Sequence, residues 1–194
     1  MLARTAAALN AANVIPIFSI DNRLAASSDG LPGAPLPCAL PEDALVAALN
    51  GTTFVRFYEN WPSSFWVPNN EDLHAAMIAN ALLETAAGIP VLIHGDGPCP
   101  AENRTIVRPG PLGGQVLFQV ASYLLVAGAG TTLSLSRDYY SASFCWRPEF
   151  DVDFGSPLGP AVRLSSHSWV RNFTRANVLV NVTQGYEASV DLLA

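Results

Sequence analysis

IPVLIHGDG, residues 89–97, is the stretch that decides the expected fold, because a short, continuous apolar run ends there in polar residues. Such a run is typical of a strand that is buried on both faces of a sheet. Three further segments have a similar form: VIPIFSIDN (14–22), TTFVRFYENW (52–61) and TTLSLS (131–136). Each of the four follows a helical or loop segment, and this order indicates a parallel sheet.

The segments between these strands carry signals for the start and the end of a helix. Residues 71–87 begin with Glu71 and Asp72, which favour the positive end of a helix, and Gly88 lies beyond its end. An earlier helix is predicted after Pro41 and a later one over 115–127.

After residue 148 the pattern changes to short alternating segments with turn-forming residues between them. Val178, Val180 and Val182 fall on one face of a strand, which indicates an antiparallel meander. Strands that end one after another in polar residues are typical of a (β/α)8 barrel, which takes roughly 250 residues. The sequence therefore predicts a partial β/α barrel of about four βα units over residues 1–148, followed by a small antiparallel β tail over 149–194.

Composition excludes several classes of function. All ten basic residues are arginine, so a phosphate-binding P-loop lysine and Schiff-base chemistry are both excluded. The net charge of −6 argues against nucleic-acid binding, and no apolar run reaches the ~20 residues of a membrane helix. Cys38, Cys99 and Cys145 lack metal-ligand spacing, so we expect neither a metal nor any other cofactor.

Four N-x-S/T sequons, at Asn50, Asn103, Asn172 and Asn181, favour a glycoprotein of the secretory pathway. The amino terminus, MLARTAAALNAANV, lacks the apolar core and cleavage site of a signal peptide. We expect it to be an ordinary helix, with the natural beginning of the chain elsewhere.

Six segments share one pattern of resemblance: IPIFSIDNR (15–23), FVRFYENW (54–61), VLIHGDG (91–97), ASYLLVAGAGTTLSLS (121–136), PEFDVDFGSPLGPA (148–161) and WVRNFTRANVLVNVT (169–183). Together they resemble the carboxyl-terminal half of uncharacterised barrel glycoside hydrolases. The similarity covers most of residues 14–192 and is most specific in the tail, 149–183. The matching tail residues are Pro157–Ala161, Arg171, Phe173, Val178, Val180 and Asn181. Asn177 stands where such families usually have Gly, and no segment matches their earlier "DGxxxDN" strand, which often carries an aspartate nucleophile. The resemblance implies that the strands are the fifth to eighth of a barrel, and that the chain is a fragment without the nucleophile strand.

Glycoside hydrolysis needs two carboxyl groups, one to protonate the leaving oxygen and one to attack or to activate water. Asp21, Glu59 and Asp96 follow three successive strands and are the catalytic candidates. By analogy with barrel glycosidases, Glu59 is the first choice for the general acid/base. The alternatives are that Glu59 caps a loop or pairs with Arg56, and that Asp21 closes an Asx-turn.

Residues next to these carboxylates are candidates for substrate binding. Aromatic rings give sugars flat stacking surfaces, and their apolar surroundings raise a carboxyl pKa. The set comprises Arg23, Arg56, Tyr58, Trp61, Trp66 and His94. The alternative is that the aromatic residues belong to the core and that His94 precedes a simple Gly turn.

The sequence leaves two classes of function open. The first is a carbohydrate-active enzyme that hydrolyses O-glycosidic bonds of an oligo- or polysaccharide, with the isolated chain expected to be inactive. The second is a non-catalytic carbohydrate-binding protein or a degenerate barrel. A truncated gene product would expose a sheet edge and form homo-oligomers through it.

Overall fold

The computed structural model describes residues 7, 10–11, 17–19, 55–58, 61, 71–95, 114–135, 148–183 and 187–193. The first sheet has four parallel strands: β1 (Ile17–Ser19), β2 (Val55–Tyr58), β3 (Val91–Gly95) and β4 (Thr132–Leu135). Helix α1 (Glu71–Ala86) connects β2 to β3, and helix α2 (Gly114–Val126) lies between β3 and β4. The strands lie in the order β1-β2-β3-β4.

The register of this sheet decides which side chains face the helices. Arg56 pairs with Val91, and Tyr58 pairs with Ile93, so these side chains share one face. All four are at most 2% exposed, because α1 and α2 cover that face. His94 lies one residue further along β3 and therefore belongs to the opposite face.

Helix α1 forms where the local signals place it. Glu71 and Asp72 occupy its first turn, and Ile78 and Ala81 are fully buried on its inner side. The helix ends at Ala86, and Gly88, two residues further on, has a φ of 76° and donates its N–H to the Thr85 carbonyl at 3.0 Å. A residue with a Cβ is strained in this left-handed conformation, so glycine suits the position.

The second sheet is antiparallel and packs against α2. Its strands follow one another as β5 (Val162–Ser165), β6 (Ser168–Asn172), β7 (Ala176–Asn181) and β8 (Glu187–Leu192), after a 3-10 turn at Pro148–Asp151. Val178, Val180 and Val182 are fully buried. Helix α2 contacts α1 as well as β6, β7 and β8, and the side chains from Phe118 to Ser122 are all buried. This explains why α2 is apolar almost all round.

Arg171 of β6 connects the second sheet to the end of α2. Its Nη1 donates to the carbonyl oxygens of Leu124, Leu125 and Ala127 at 3.0, 2.9 and 2.7 Å. Its Nε donates to the Gly159 carbonyl at 3.0 Å. The last carbonyls of a helix have no partner within the helix, so a cation stabilises them by hydrogen bonding and by charge. Burial lowers the pKa of Arg171.

The prediction of a partial β/α barrel is wrong, and the antiparallel strands predicted as its tail form a four-stranded sheet of their own. The described residues form an open parallel sheet flanked by two helices, and a separate four-stranded antiparallel sheet. Buried strands with polar ends alternate with helices in open and closed parallel sheets alike. Closure depends on strand tilt and on the stagger between strands, which no single strand encodes. The division at residue 148 stays a prediction.

No helix in the described part of the chain is both long and apolar enough to cross a membrane. Two of the four sequons lie in this part. Asn172, at the end of β6, is exposed, whereas the Asn181 side chain accepts the N–H of Thr183 at 3.1 Å. Glycosylation and secretion stay predictions.

Candidate functional site

A buried polar cluster joins β2 to α1 directly before the position of Glu59. The Arg56 Nε lies 2.8 Å from the Glu84 Oε1, and the Tyr58 hydroxyl donates to the Glu84 Oε2 at 2.8 Å. The Arg56 guanidinium carbon also lies 4.8 Å from the centre of the Tyr58 ring. Both oxygens of one carboxylate therefore contact side chains of the same strand.

Burial gives this ion pair a large effect on stability. The side chains of Arg56 and Glu84 are 0% and 1% exposed. Opposite charges attract strongly at low dielectric, but each has lost the solvation that water provides, so neither is tolerated well without the other. The pair consequently fixes the helix-facing side of β2 against α1.

Trp61 makes a second set of contacts, with α2 and with β3. Its indole Nε1 donates to the Ser122 hydroxyl at 2.6 Å, and Ser122 donates in turn to the Gln119 carbonyl at 3.0 Å. The Trp61 N–H donates to the His94 carbonyl at 3.0 Å. Its ring packs edge-on against Tyr58, with the ring centres 5.5 Å apart.

Gly95, at the end of β3, is required by close packing against α2. A Cβ at this position would overlap the Gln119 side-chain oxygen and would lie 2.8 Å from the Leu135 Cδ2. The lack of a side chain at Gly95 therefore lets α2 approach the end of the sheet.

Helix α1 also buries a histidine. His74 is 2% exposed, and desolvation lowers its pKa to about 4. The imidazole is therefore neutral at physiological pH, because the charged form would lose its hydration.

The structure describes four of the nine residues that the sequence nominated for the site. Arg56, Tyr58 and Trp61 are at most 1% exposed, and His94 is 8% exposed on the opposite face of the sheet. Arg56, Tyr58 and Trp61 lie together, and their roles in substrate binding stay predictions. The other five nominated residues lie outside the described residues: Asp21, Arg23, Glu59, Trp66 and Asp96.

Sequence reasoning missed Glu84 and Ser122, the partners of Arg56 and Trp61. One signal for Glu84 was available, because it lies three residues after Ala81 on the buried side of α1. A carboxylate in an apolar stripe indicates a buried cationic or hydroxyl partner. Nothing in the sequence singles out Arg56 as that partner.

The described residues contain no group of three or more His, Cys, Asp or Glu side chains placed to hold a metal ion. All three cysteines lie outside these residues.

The comparison with known protein families places the chain in the glycoside hydrolase-like class. Residues 55–177, from β2 into β7 and well over half of the chain, match the family described as hypothetical glycosyl hydrolase family 15. The chain belongs to that family. No curated protein matches it significantly.

Proposed function

We propose that this protein hydrolyses O-glycosidic bonds in an oligo- or polysaccharide, with Glu59 as the general acid/base. Asp21 takes the place of the aspartate nucleophile that the family resemblance leaves unmatched, so the chain is active where that resemblance alone implies an inactive fragment. The observation that carries this proposal is the family match, which spans the positions of Glu59 and Asp96. In the reaction, Glu59 protonates the leaving oxygen, and a second carboxylate attacks the sugar or activates water.

The contacts of Tyr58 and Trp61 support this role for Glu59. These residues stand on either side of the Glu59–Asn60 dipeptide, and both side chains are hydrogen-bonded and buried. The chain is thus fixed to α1 on one side of Glu59 and to α2 on the other. A general acid needs such support, because proton transfer requires a heavy-atom distance of roughly 2.6–3.2 Å to its substrate.

The strand register favours Asp21 as the second carboxylate. Ser19 of β1 pairs with Phe57 of β2, and Asp21 and Glu59 each follow two residues later. If this pairing continued for two more residues, Asp21 and Glu59 would be level on neighbouring strands and on one face of the sheet. Parallel strands lie about 4.8 Å apart, close to the ~5–5.5 Å between carboxyl groups in retaining enzymes. The pairing of Tyr58 with Ile93, continued in the same way, would make Glu59 level with His94, which is two residues before Asp96.

The test is hydrolysis of a panel of 4-nitrophenyl α- and β-glycosides by the full chain. Glu59→Gln and Asp21→Asn each keep the side-chain shape and remove the carboxyl group. We expect each to lower kcat by about 10²–10⁴-fold. Glu187→Gln is the matched control, because Glu187 is exposed on β8.

Two outcomes would contradict the proposal. Turnover that survives in Glu59→Gln would remove this residue from the chemistry. Oligosaccharide binding without hydrolysis of any glycoside in the panel would identify a non-catalytic carbohydrate-binding protein instead.

A further inference from the structure

A cavity lies beside α2, at the end of the parallel sheet where β4 begins. It has a volume of about 750 Å³, is open to the surface, and is bounded by the second half of α2, the loop from α2 to β4, and residues 149–157. That loop precedes β4, whereas Glu59 and Asp96 follow the carboxyl ends of β2 and β3. The cavity is therefore separate from the proposed active site.

The size and the lining of this cavity are those of a site for a small molecule. Ligand pockets commonly measure about 300–1,000 Å³ and combine mostly apolar walls with a few polar groups. Here the walls include the aromatic side chains of Tyr123, Phe150 and Phe154. The Phe173 ring also lines the cavity, but the Arg171 guanidinium carbon already lies 5.3 Å from its centre. The ring faces of such side chains attract cations as well as apolar groups.

The charged residues that line the cavity indicate which small molecules it can bind. Two carboxylates, those of Glu149 and Asp153, line the cavity, and none of the described lining residues is basic. Asp153 already has a cationic partner, because its Oδ2 lies 2.6 Å from the Arg175 Nη1, and its Oδ1 accepts the Gly155 N–H. The half-buried Glu149 carboxylate makes no hydrogen bond or ion pair among the described residues. Within the described part of the chain, the Glu149 charge thus lies beside aromatic walls without a partner.

We propose that this cavity binds a small organic ammonium ion, with its apolar body against the aromatic walls and its ammonium group on Glu149. The unpaired carboxylate supplies the charge complement, and the aromatic faces add cation–π attraction. A neutral ligand of the same shape gains the apolar contact alone, and an anion is repelled. The inference does not depend on glycoside hydrolysis.

The experiment compares benzylammonium with benzyl alcohol, which has nearly the same shape but no charge. Binding to the full chain is measured by calorimetry and by ligand-observed NMR, in low salt and in high salt. We expect benzylammonium to bind at least about tenfold more tightly than benzyl alcohol, and salt to weaken only the former.

Two variants locate the site. Glu149→Gln should weaken benzylammonium at least about tenfold and leave benzyl alcohol unchanged. Glu187→Gln, which removes an exposed carboxylate outside the cavity, should change neither ligand. Equal affinity for the two ligands, an unchanged affinity in Glu149→Gln, or no saturable binding of benzylammonium would each overturn the proposal. Circular dichroism of Glu149→Gln shows whether the fold is retained.

Discussion

Removing the Glu84 charge tests whether the buried cluster stabilises the fold. Glu84→Gln keeps the size of the side chain but removes the ion pair that Glu84 makes with the Arg56 guanidinium, which is 0% exposed. Loss of one partner of a buried pair costs about 3–5 kcal/mol of the free energy of unfolding. For a chain of this size each kcal/mol shifts Tm by about 2–4 °C, so the variant should melt about 6–20 °C lower.

The assay is urea unfolding followed by tryptophan fluorescence, because Trp61 lies within the cluster and contacts Tyr58. Glu71→Gln, in the first turn of the same helix, is the matched control and should cost less than about 1 kcal/mol. The double variant Arg56→Met/Glu84→Met should be more stable than Glu84→Gln, because it removes both charges together. It should still fall about 1–3 kcal/mol below the wild type, since the Tyr58 hydroxyl loses its acceptor.

One result would refute this reasoning. If Glu84→Gln loses no more free energy of unfolding than Glu71→Gln, then the pair is hydrated in solution and does not fix β2 to α1.

Three further perturbations address other parts of the fold. Arg171→Met should lower the free energy of unfolding by about 3 kcal/mol, because the carbonyls at the end of α2 lose charged hydrogen bonds; thermal melting measures this. His74 should lower the free energy of unfolding of the wild type by about 3 kcal/mol between pH 6.5 and pH 4, because the unfolded chain protonates this histidine more readily than the native fold does. In urea titrations, His74→Asn should remove this part of the pH dependence. Gly155→Ala should cost more than about 1 kcal/mol, because the residue has a φ of 76° and a Cβ would overlap the Thr174 hydroxyl; its Tm reports the loss.

Each of the three has an outcome that contradicts it. Arg175→Met is the control for Arg171→Met, because it removes an exposed guanidinium that pairs with Asp153. If Arg171→Met loses no more free energy of unfolding than Arg175→Met, the contacts of Arg171 with α2 contribute little. An unchanged pH slope in His74→Asn would mean that other groups carry the acid sensitivity. A Gly155→Ala variant with wild-type stability would show that the turn relaxes freely.

The parts of the fold that depend on local pattern were accessible from the sequence. Glu71, Asp72 and Gly88 mark the ends of α1, because dipole and backbone effects act within one or two turns. Alternation identifies the buried valines at 178, 180 and 182, since the side-chain period of a strand is fixed. These signals need no knowledge of distant residues.

The architecture and the cluster depend on relations between distant elements. The barrel was predicted from polar strand ends, which an open sheet produces equally well. Arg56 and Tyr58 were nominated for substrate binding because they precede Glu59, but the carboxylate they contact lies on α1, at Glu84. Arg171 stood out only through family resemblance, and its contacts with the end of α2 became visible only in three dimensions.

The hydrogen bonds from Arg171 to the end of α2 can form only some time after the helix has been synthesised. The carbonyls at the end of α2 precede their donor by 44 to 47 residues in the chain. At about 5–20 residues per second, a ribosome completes this helix about 2–9 s before it supplies the guanidinium. During that interval the almost wholly apolar α2 has an unsatisfied end and no second sheet to cover it. The nascent chain is then most exposed to aggregation, so a synonymous codon change that slows translation between residues 127 and 171 would prolong that exposure.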